Sequence, residues 1–560
     1  MLQRIQRIFS KNRTFIIGIC AILSLALLSA NKPNKESLHL GLVIDARHPA
    51  NKAIPNIASN INIWQMGNTF VNPSIEFSEY NEFQFVKWVQ LMLCSGGSES
   101  RDLFKNPDDR TTTEDYNFDL LIRNCEGILK LGAKPFLKLG AVPLKLTTEP
   151  KINSSGFNIY PPDSYEQYYQ YIKAIAVTLV SHFGKKEVAS WRFGCLDEYE
   201  NGNIFRARSG DPEDSFVAYC KMYDYTVQAL TDVLGDNIFV GAHSMSVLDG
   251  QWDECRFIEH AAKGRNYANG SNGTKIRFLS VSFYDNSPGN LSYRTLANTI
   301  RPLQDKAKEC NLDNIIYGVD EGRVLSGTQG SQSSSLNSRA SGYTWQAAED
   351  ARLFSQAIDL GLDYFSAWSY LTGGNTTGYP TVSYHVAENI AKFAGFRRIN
   401  VNYPVTKDRD KDKEIGCIAG VKKDTILLMI YSFSTDIHSK ETDEISLDFL
   451  LPYNSRKAKV VKWLVNDDCN YFDEWQADRQ KYNIKDEAFL WSPDDGQVEA
   501  SIILYDSEAK KIYREQLRDK YIKCSELRPE INTVRIQHRR YSETINIACN
   551  TVLSMQITKR

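Results

Sequence analysis

Glu198 ends the run Ser190-Trp-Arg-Phe-Gly-Cys-Leu-Asp-Glu, and Glu321 ends Ile315-Ile-Tyr-Gly-Val-Asp-Glu. Each run has the length and the aromatic or β-branched content of a buried strand, which puts each carboxylate at a strand's C-terminal end. The two glutamates are 123 residues apart, room for two further strand and helix pairs. In a parallel β/α barrel that spacing brings the ends of the fourth and seventh strands to one open face, where barrel active sites are built. Two carboxylates across such a mouth supply what cleavage of a glycosidic bond needs, a proton donor and a nucleophile or base. No other constellation in the chain is as specific.

The elements that would position them are legible between residues 57 and 398. Short β-rich runs at Ala58–Trp64, Phe85–Leu93, Lys134–Leu139, Val188–Leu196, Ile238–His243, Phe278–Tyr284, Ile315–Val319 and Tyr364–Trp368 alternate with longer amphipathic stretches. Phe118–Leu131, Ser164–Phe183, Asp214–Leu234, Leu296–Cys310 and Thr344–Leu360 read as helices, three of them followed by the capping glycines Gly132, Gly235 and Gly361. Eight such units predict an α/β fold, a (β/α)8 barrel, with an open doubly wound sheet as the alternative. From 399 to 560 the texture changes to alternating runs between polar turns, including Thr425-Ile-Leu-Leu-Met-Ile-Tyr, Ile445-Ser-Leu-Asp-Phe-Leu, Val460-Val-Lys-Trp-Leu-Val and Ala500-Ser-Ile-Ile-Leu-Tyr. That predicts a β-sandwich packed on the barrel, and Leu38–Val43, within the segment 31–56, would add a strand to it.

The first 30 residues are a separate object. Arg4, Arg7, Lys11 and Arg13 precede an apolar run from Thr14 to Ala30, the pattern of a secretory signal or a single membrane anchor. Either reading places the body outside the cytoplasm, and the second gives it a membrane tether. Over 560 residues the net charge is −2, so no concentrated basic face points to nucleic acid. The eleven cysteines are scattered without a CxxC, and the eight histidines show no His-x-His or His-x3-His spacing. Neither a metal nor another cofactor is expected.

Several blocks carry a resemblance that runs in order from about residue 55 to 400. They are Tyr116-Asn-Phe-Asp-Leu-Leu, Leu131-Gly-Ala-Lys-Pro-Phe-Leu-Lys-Leu-Gly with Val142-Pro, the approach His182-Phe-Gly-Lys-Lys-Glu-Val-Ala-Ser-Trp-Arg-Phe, Ser280-Val-Ser-Phe-Tyr and Ala367-Trp-Ser-Tyr. This half resembles glycoside hydrolase family 39, the β-xylosidase and α-iduronidase family. The resemblance implies a retaining hydrolase of an oligo- or polysaccharide, with Glu198 as acid/base and Glu321 as nucleophile. Asp197 stands where the family has the Asn that meets the sugar 2-hydroxyl. An ionised Asp accepts such a bond but donates none. Asp320-Glu321-Gly322 replaces Thr-Glu-Trp, Gln90 and Met92 replace Arg and His, and Ser282 replaces His. From their strand ends, Tyr284 is expected to hold the nucleophile ionised, Trp368 to offer a platform to the sugar ring, and His243 to face the same mouth. With so much of the polar wall changed, the alternative reading is a catalytically impaired barrel that binds carbohydrate.

Overall fold

The computed structural model describes residues 39–64, 66–71, 80–98, 102–245, 249–284, 295–323, 344–367, 370, 380–401, 413–482 and 511–560. The N-terminal apolar run and the strand expected at 500–505 lie outside them. After a first strand, β1 (His39–Asp45), come β2 (Asn60–Ile63), β3 (Trp88–Leu91), β4 (Lys134–Leu139), β5 (Arg192–Cys195), β6 (Phe239–Ser244), β7 (Phe278–Tyr284), β8 (Ile316–Arg323) and β9 (Tyr364–Ala367). These last eight pair in sequence order, all parallel, and β9 closes onto β2. All eight expected barrel strands are present. The barrel is closed, which removes the open doubly wound sheet. Helices at Asp119–Lys130, Tyr165–Phe183, Pro212–Leu234, Leu296–Glu309 and Trp345–Asp359 follow the expected spans within two residues.

Alternation along each strand separates two environments. Leu137 and Leu139, Phe193 and Cys195, Leu279 and Val281, and Val319 point outward into the apolar layer shared with the helices. Their neighbours Lys138, Gly194, Ser280 and Asp320 fall on the opposite, luminal face. At one end of the lumen Phe136, Phe278 and Tyr364 pack together, and the Arg192 guanidinium lies 4.2 Å from the centroid of the Trp88 ring. Above this aromatic plug the interior is polar. Lumens filled by branched apolar side chains are the commoner arrangement, so these polar groups need internal partners.

Beyond the barrel the chain forms β10 (Arg397–Arg398), β11 (Lys413–Lys422), β12 (Thr425–Ser434), β13 (Thr442–Leu450), β14 (Lys457–Val465), β15 (Glu530–Arg535), β16 (Arg540–Ala548) and β17 (Thr551–Lys559). A six-stranded sheet in the order β10-β11-β12-β17-β14-β15 faces a three-stranded sheet, β1-β13-β16. Here β1 pairs parallel to β13, as the expected extra strand. Strand β12 explains how the sandwich is held. Ile426, Leu428 and Ile430 enter the core between the sheets, whereas Leu427, Met429, Tyr431 and Phe433 join the core of the barrel. A strand buried on both faces has no polar face to present, hence its unbroken apolar run.

Hydrogen bonds fix the same junction. The Trp345 indole N–H donates to the Ser434 carbonyl at 2.7 Å, the Thr344 hydroxyl to Asp467 at 2.7 Å, and His385 Nε2 meets the Ser525 carbonyl at 2.6 Å. Among the described residues between β14 and β15, the α-helices Phe472–Lys481 and Arg518–Cys524 were not anticipated. Ending the chain at residue 398 would expose Trp345 and the surrounding helix faces to water. Expressed alone, the barrel is expected to be insoluble or to unfold without a cooperative transition. A sharp thermal melt by circular dichroism would show instead that it folds independently.

Candidate active site

Two local devices turn the carboxylates into the mouth. On β5 the strand ends at Cys195, and Leu196 and Glu198 then take positive φ, 57° and 40°. Left-handed conformations cost L-residues on the order of 1–2 kcal/mol each, and here they break the strand alternation on either side of Asp197. The Tyr199 N–H donates to the His243 carbonyl at 2.9 Å and ties the turn to β6. On β8 the register slips by one residue. Val281 faces Val319, but Ser282 faces Glu321, leaving Asp320 as the extra residue of a bulge. Strict alternation would send Asp320 and Glu321 to opposite faces. The bulge lets both turn inward.

Beneath the mouth lies a buried charge network. The Lys138 ammonium pairs with Asp320 and lies 3.9 Å from Asp197, with all three side chains fully buried. Asp320 also accepts from the Ser280 hydroxyl at 2.7 Å and the Tyr364 hydroxyl at 2.6 Å. A Cβ on Gly194 would lie 2.6 Å from Lys138 Cδ, so the missing side chain on β5 is the slot that the lysine of β4 fills. Burial opposes the charge on Asp320, but Lys138 and then His243 outweigh it and hold the carboxyl below its usual range.

Asp197 accepts from His243 Nδ1, and the other ring nitrogen lies 2.9 Å from the Ser282 hydroxyl. Burial again works against the charge, yet His243, followed by the neighbouring groups, holds Asp197 down at about 2. Glu198 is half-buried, accepts from Asn201 Nδ2 at 2.6 Å, and is raised by burial and then by the charge of Asp197. Glu321 is 5% exposed and accepts from the Tyr284 hydroxyl at 2.7 Å. Burial, the charge and contact of Asp197 and the charge of Glu198 push it well above its usual range, while Tyr284 pulls the other way.

The expected residues therefore converge, with different neighbours. Glu198, Glu321 and Tyr284 meet at one mouth. Asp197 and His243 are fully buried, with His243 placed between Asp197 and Ser282. Trp368 lies outside the described residues. After burial, the largest influence raising Glu198 is the charge of Asp197. Lys138 was missed, though its parity in Lys134-Pro-Phe-Leu-Lys-Leu was a readable sign, since Leu137 and Leu139 claim the outer face. Ligand atoms of Asp197, His243 and Glu321 lie within 4.8 Å of one another. His243 Nδ1 is spent on Asp197, and the Lys138 ammonium stands beside it, so the cluster is a hydrogen-bonded network that already contains its countercharge.

A closed parallel barrel with carboxyl groups gathered at the ends of its fourth and seventh strands has the make-up of a barrel glycosidase. Residues 101–409 match the model of glycosyl hydrolases family 39, and the chain belongs to that family. It is a glycoside hydrolase, retaining as that family is. A β-xylosidase of Caldicellulosiruptor saccharolyticus is 27% identical over 381 residues, 64% of this chain and 72% of the relative. The fold is shared with a monomeric β-xylosidase from Caulobacter crescentus CB15 at a TM-score of 0.63 and 13% identity, over 93% of this chain and 99% of that one. A bacterial orthologue of human α-L-iduronidase superposes with the same TM-score at 15% identity, over 93% and 84%.

Because the fold opposes ionisation of Glu321, it loses stability wherever the unfolded chain ionises this group and the folded one does not. The raised folded pKa makes that penalty appear above the ordinary value of 4.5 and grow by roughly 1.4 kcal/mol per pH unit until the folded group also ionises. Glu321→Gln should therefore match the wild type in urea unfolding at pH 4 and exceed it at pH 7. A variant less stable at both values would contradict this electrostatic picture.

Proposed function

We propose that the chain is an exported glycosidase that cleaves its substrate by double displacement. Glu321 attacks the anomeric carbon while Glu198 gives its proton to the departing oxygen. Water then attacks the glycosyl-enzyme with Glu198 as base, restoring both carboxyls. The observation that carries this reading is the meeting of the two carboxyls from β5 and β8 at one mouth, where the charge of Glu198 raises Glu321, with Tyr284 donating to Glu321 and Asn201 to Glu198. Tyr284 is suited to hold the developing carboxylate, since its own proton is firmly retained through burial and the charge of Glu321. The basic and apolar N-terminal run supports export. A β-xyloside is the first substrate to test, on the strength of the β-xylosidase relative, with β-galactoside and α-iduronide beside it.

Aryl glycosides of those three sugars should separate the roles. Glu321→Gln should abolish turnover on whichever is cleaved. Glu198→Ala should lose about 10²–10⁴-fold on poor leaving groups and far less on a dinitrophenyl glycoside, which departs without a proton. Azide should rescue it by attacking the intermediate unaided. Equal loss on every leaving group, with no response to azide, would mean that another residue is the acid. Binding of sugar by calorimetry with no product from any glycoside would favour the carbohydrate-binding alternative.

In pH, kcat/KM should be bell-shaped. It should fall on the acid side as Glu321 takes up a proton and on the alkaline side as Glu198 loses one. Since Glu321 is held above the usual carboxylate range, the acid limb should lie above pH 4.5. An acid limb below pH 4 would contradict the assignment of Glu321.

A further inference from the structure

Asp197 Oδ2 and Glu321 Oε1 are buried and have no donor among the described residues, yet the two carboxyl groups lie within hydrogen-bonding reach of each other. Two bare carboxylates in that position would each lose water and gain only repulsion. One proton between them converts the contact into a hydrogen bond and satisfies both oxygens. The remaining oxygens are committed elsewhere. Asp197 Oδ1 takes His243 Nδ1, and Glu321 Oε2 takes the Tyr284 hydroxyl.

We propose that Asp197 and Glu321 hold a single proton between them, which makes Asp197 the positioning residue that governs when the nucleophile is ionised. The proton rests on Glu321 because the charged groups around the pair favour the anion on Asp197. From β4 Lys138 stands 3.9 Å from Asp197, and from β6 His243 donates to it. From β7 Tyr284 faces Glu321. From the turn after β5 Glu198 stands beside Glu321, its ionised form opposing a second charge there, and from β8 the charge of Asp320 is taken up by Lys138. Glu321 becomes a nucleophile only as the pair gives up its shared proton. An asparagine in place of Asp197 would donate to Glu321 with no charge and no competing acceptor, and Glu321 would then ionise at lower pH. The inference rests on Glu321 being the nucleophile, and the test keeps the two claims apart.

The probe is 2,4-dinitrophenyl 2-deoxy-2-fluoro-β-xyloside, whose leaving group needs no acid and whose sugar stays attached to the attacking carboxyl. The rate of labelling is followed against pH in the wild type and in Asp197→Asn, and the labelled peptide is identified by mass spectrometry. The midpoint at which labelling switches on should move about one pH unit or more to the acid side in Asp197→Asn, with the sugar on Glu321 in both proteins. A purely structural Asp197 would lower the rate by one factor at every pH and leave the midpoint in place. Label on Glu321 with superimposed profiles overturns the shared proton alone. Label on any other residue overturns the nucleophile and this inference with it. An infrared comparison needs no sugar. As pH rises above 4.5 the wild type should show a protonated carboxyl that Glu321→Gln lacks, and in Asp197→Asn the same band should disappear at lower pH than in the wild type. Absence of that band from the wild type also overturns the proposal.

Discussion

The site depends on a lysine buried at the centre of a barrel. A buried charge needs a paired countercharge, and Lys138 gives it first to Asp320, while Asp197 draws on His243 first and then on Lys138. Each member solves the desolvation problem of the others, and the hydroxyls of Ser280 and Tyr364 complete the coordination of Asp320. Whether such a buried network adds net stability over an apolar core is a separate matter, and comparable pairs often do not. What it adds here is position. With Asp320 pinned to β4, β7 and β9, the next residue on β8, Glu321, has one place to go.

That placement is made with local irregularities at the strand ends. Regular alternation would put only one residue of Asp320 and Glu321, and only one of Asp197 and Glu198, on the luminal side. The slipped register of β8 and the left-handed residues after β5 put both members of each pair there. In each pair one acid goes down to the charge network and the other goes up to the mouth. The result is two glutamates pressed toward their neutral forms above two aspartates held ionised. Environments that drive carboxyl pKa values apart are the usual basis for dividing acid and base roles between like groups.

The barrel was legible because its signals are local and repeated. Eight β-rich runs, helix faces such as that of Phe118–Leu131 and the glycines at 132, 235 and 361 all agree. Both glutamates were legible from their place after such runs, and the block order carried the family. The network beneath was not, because partnership across a barrel links residues such as Lys138 and Asp320 that no spacing rule joins. His243 and Asp197 were placed at the right end of the barrel, but the sequence holds no sign that they would use their polar atoms on each other. In the sandwich, the double burial of β12 was visible as an apolar run, while β15, an exposed edge strand, carries almost no apolar pattern to find. The changes of the polar wall, Asp197 in place of Asn and Ser282 in place of His, read singly as losses. In the folded chain they form one unit with His243 between them.

The central claim is that Lys138 supplies the countercharge on which the carboxylates rely, and urea unfolding of Lys138→Met as a function of pH tests it most directly. Asp320 and Asp197 have folded-state pKa values below their ordinary 3.8, so the stability they confer is present above that value and lost as pH falls through the folded values. Removing the lysine takes the ion-pair partner from Asp320 and a second positive neighbour from Asp197. The variant should lose about 3–5 kcal/mol at pH 7, and the deficit should shrink below pH 4 as the aspartates take up protons. A deficit that is small at pH 7, or the same at pH 7 and pH 3, would contradict the account.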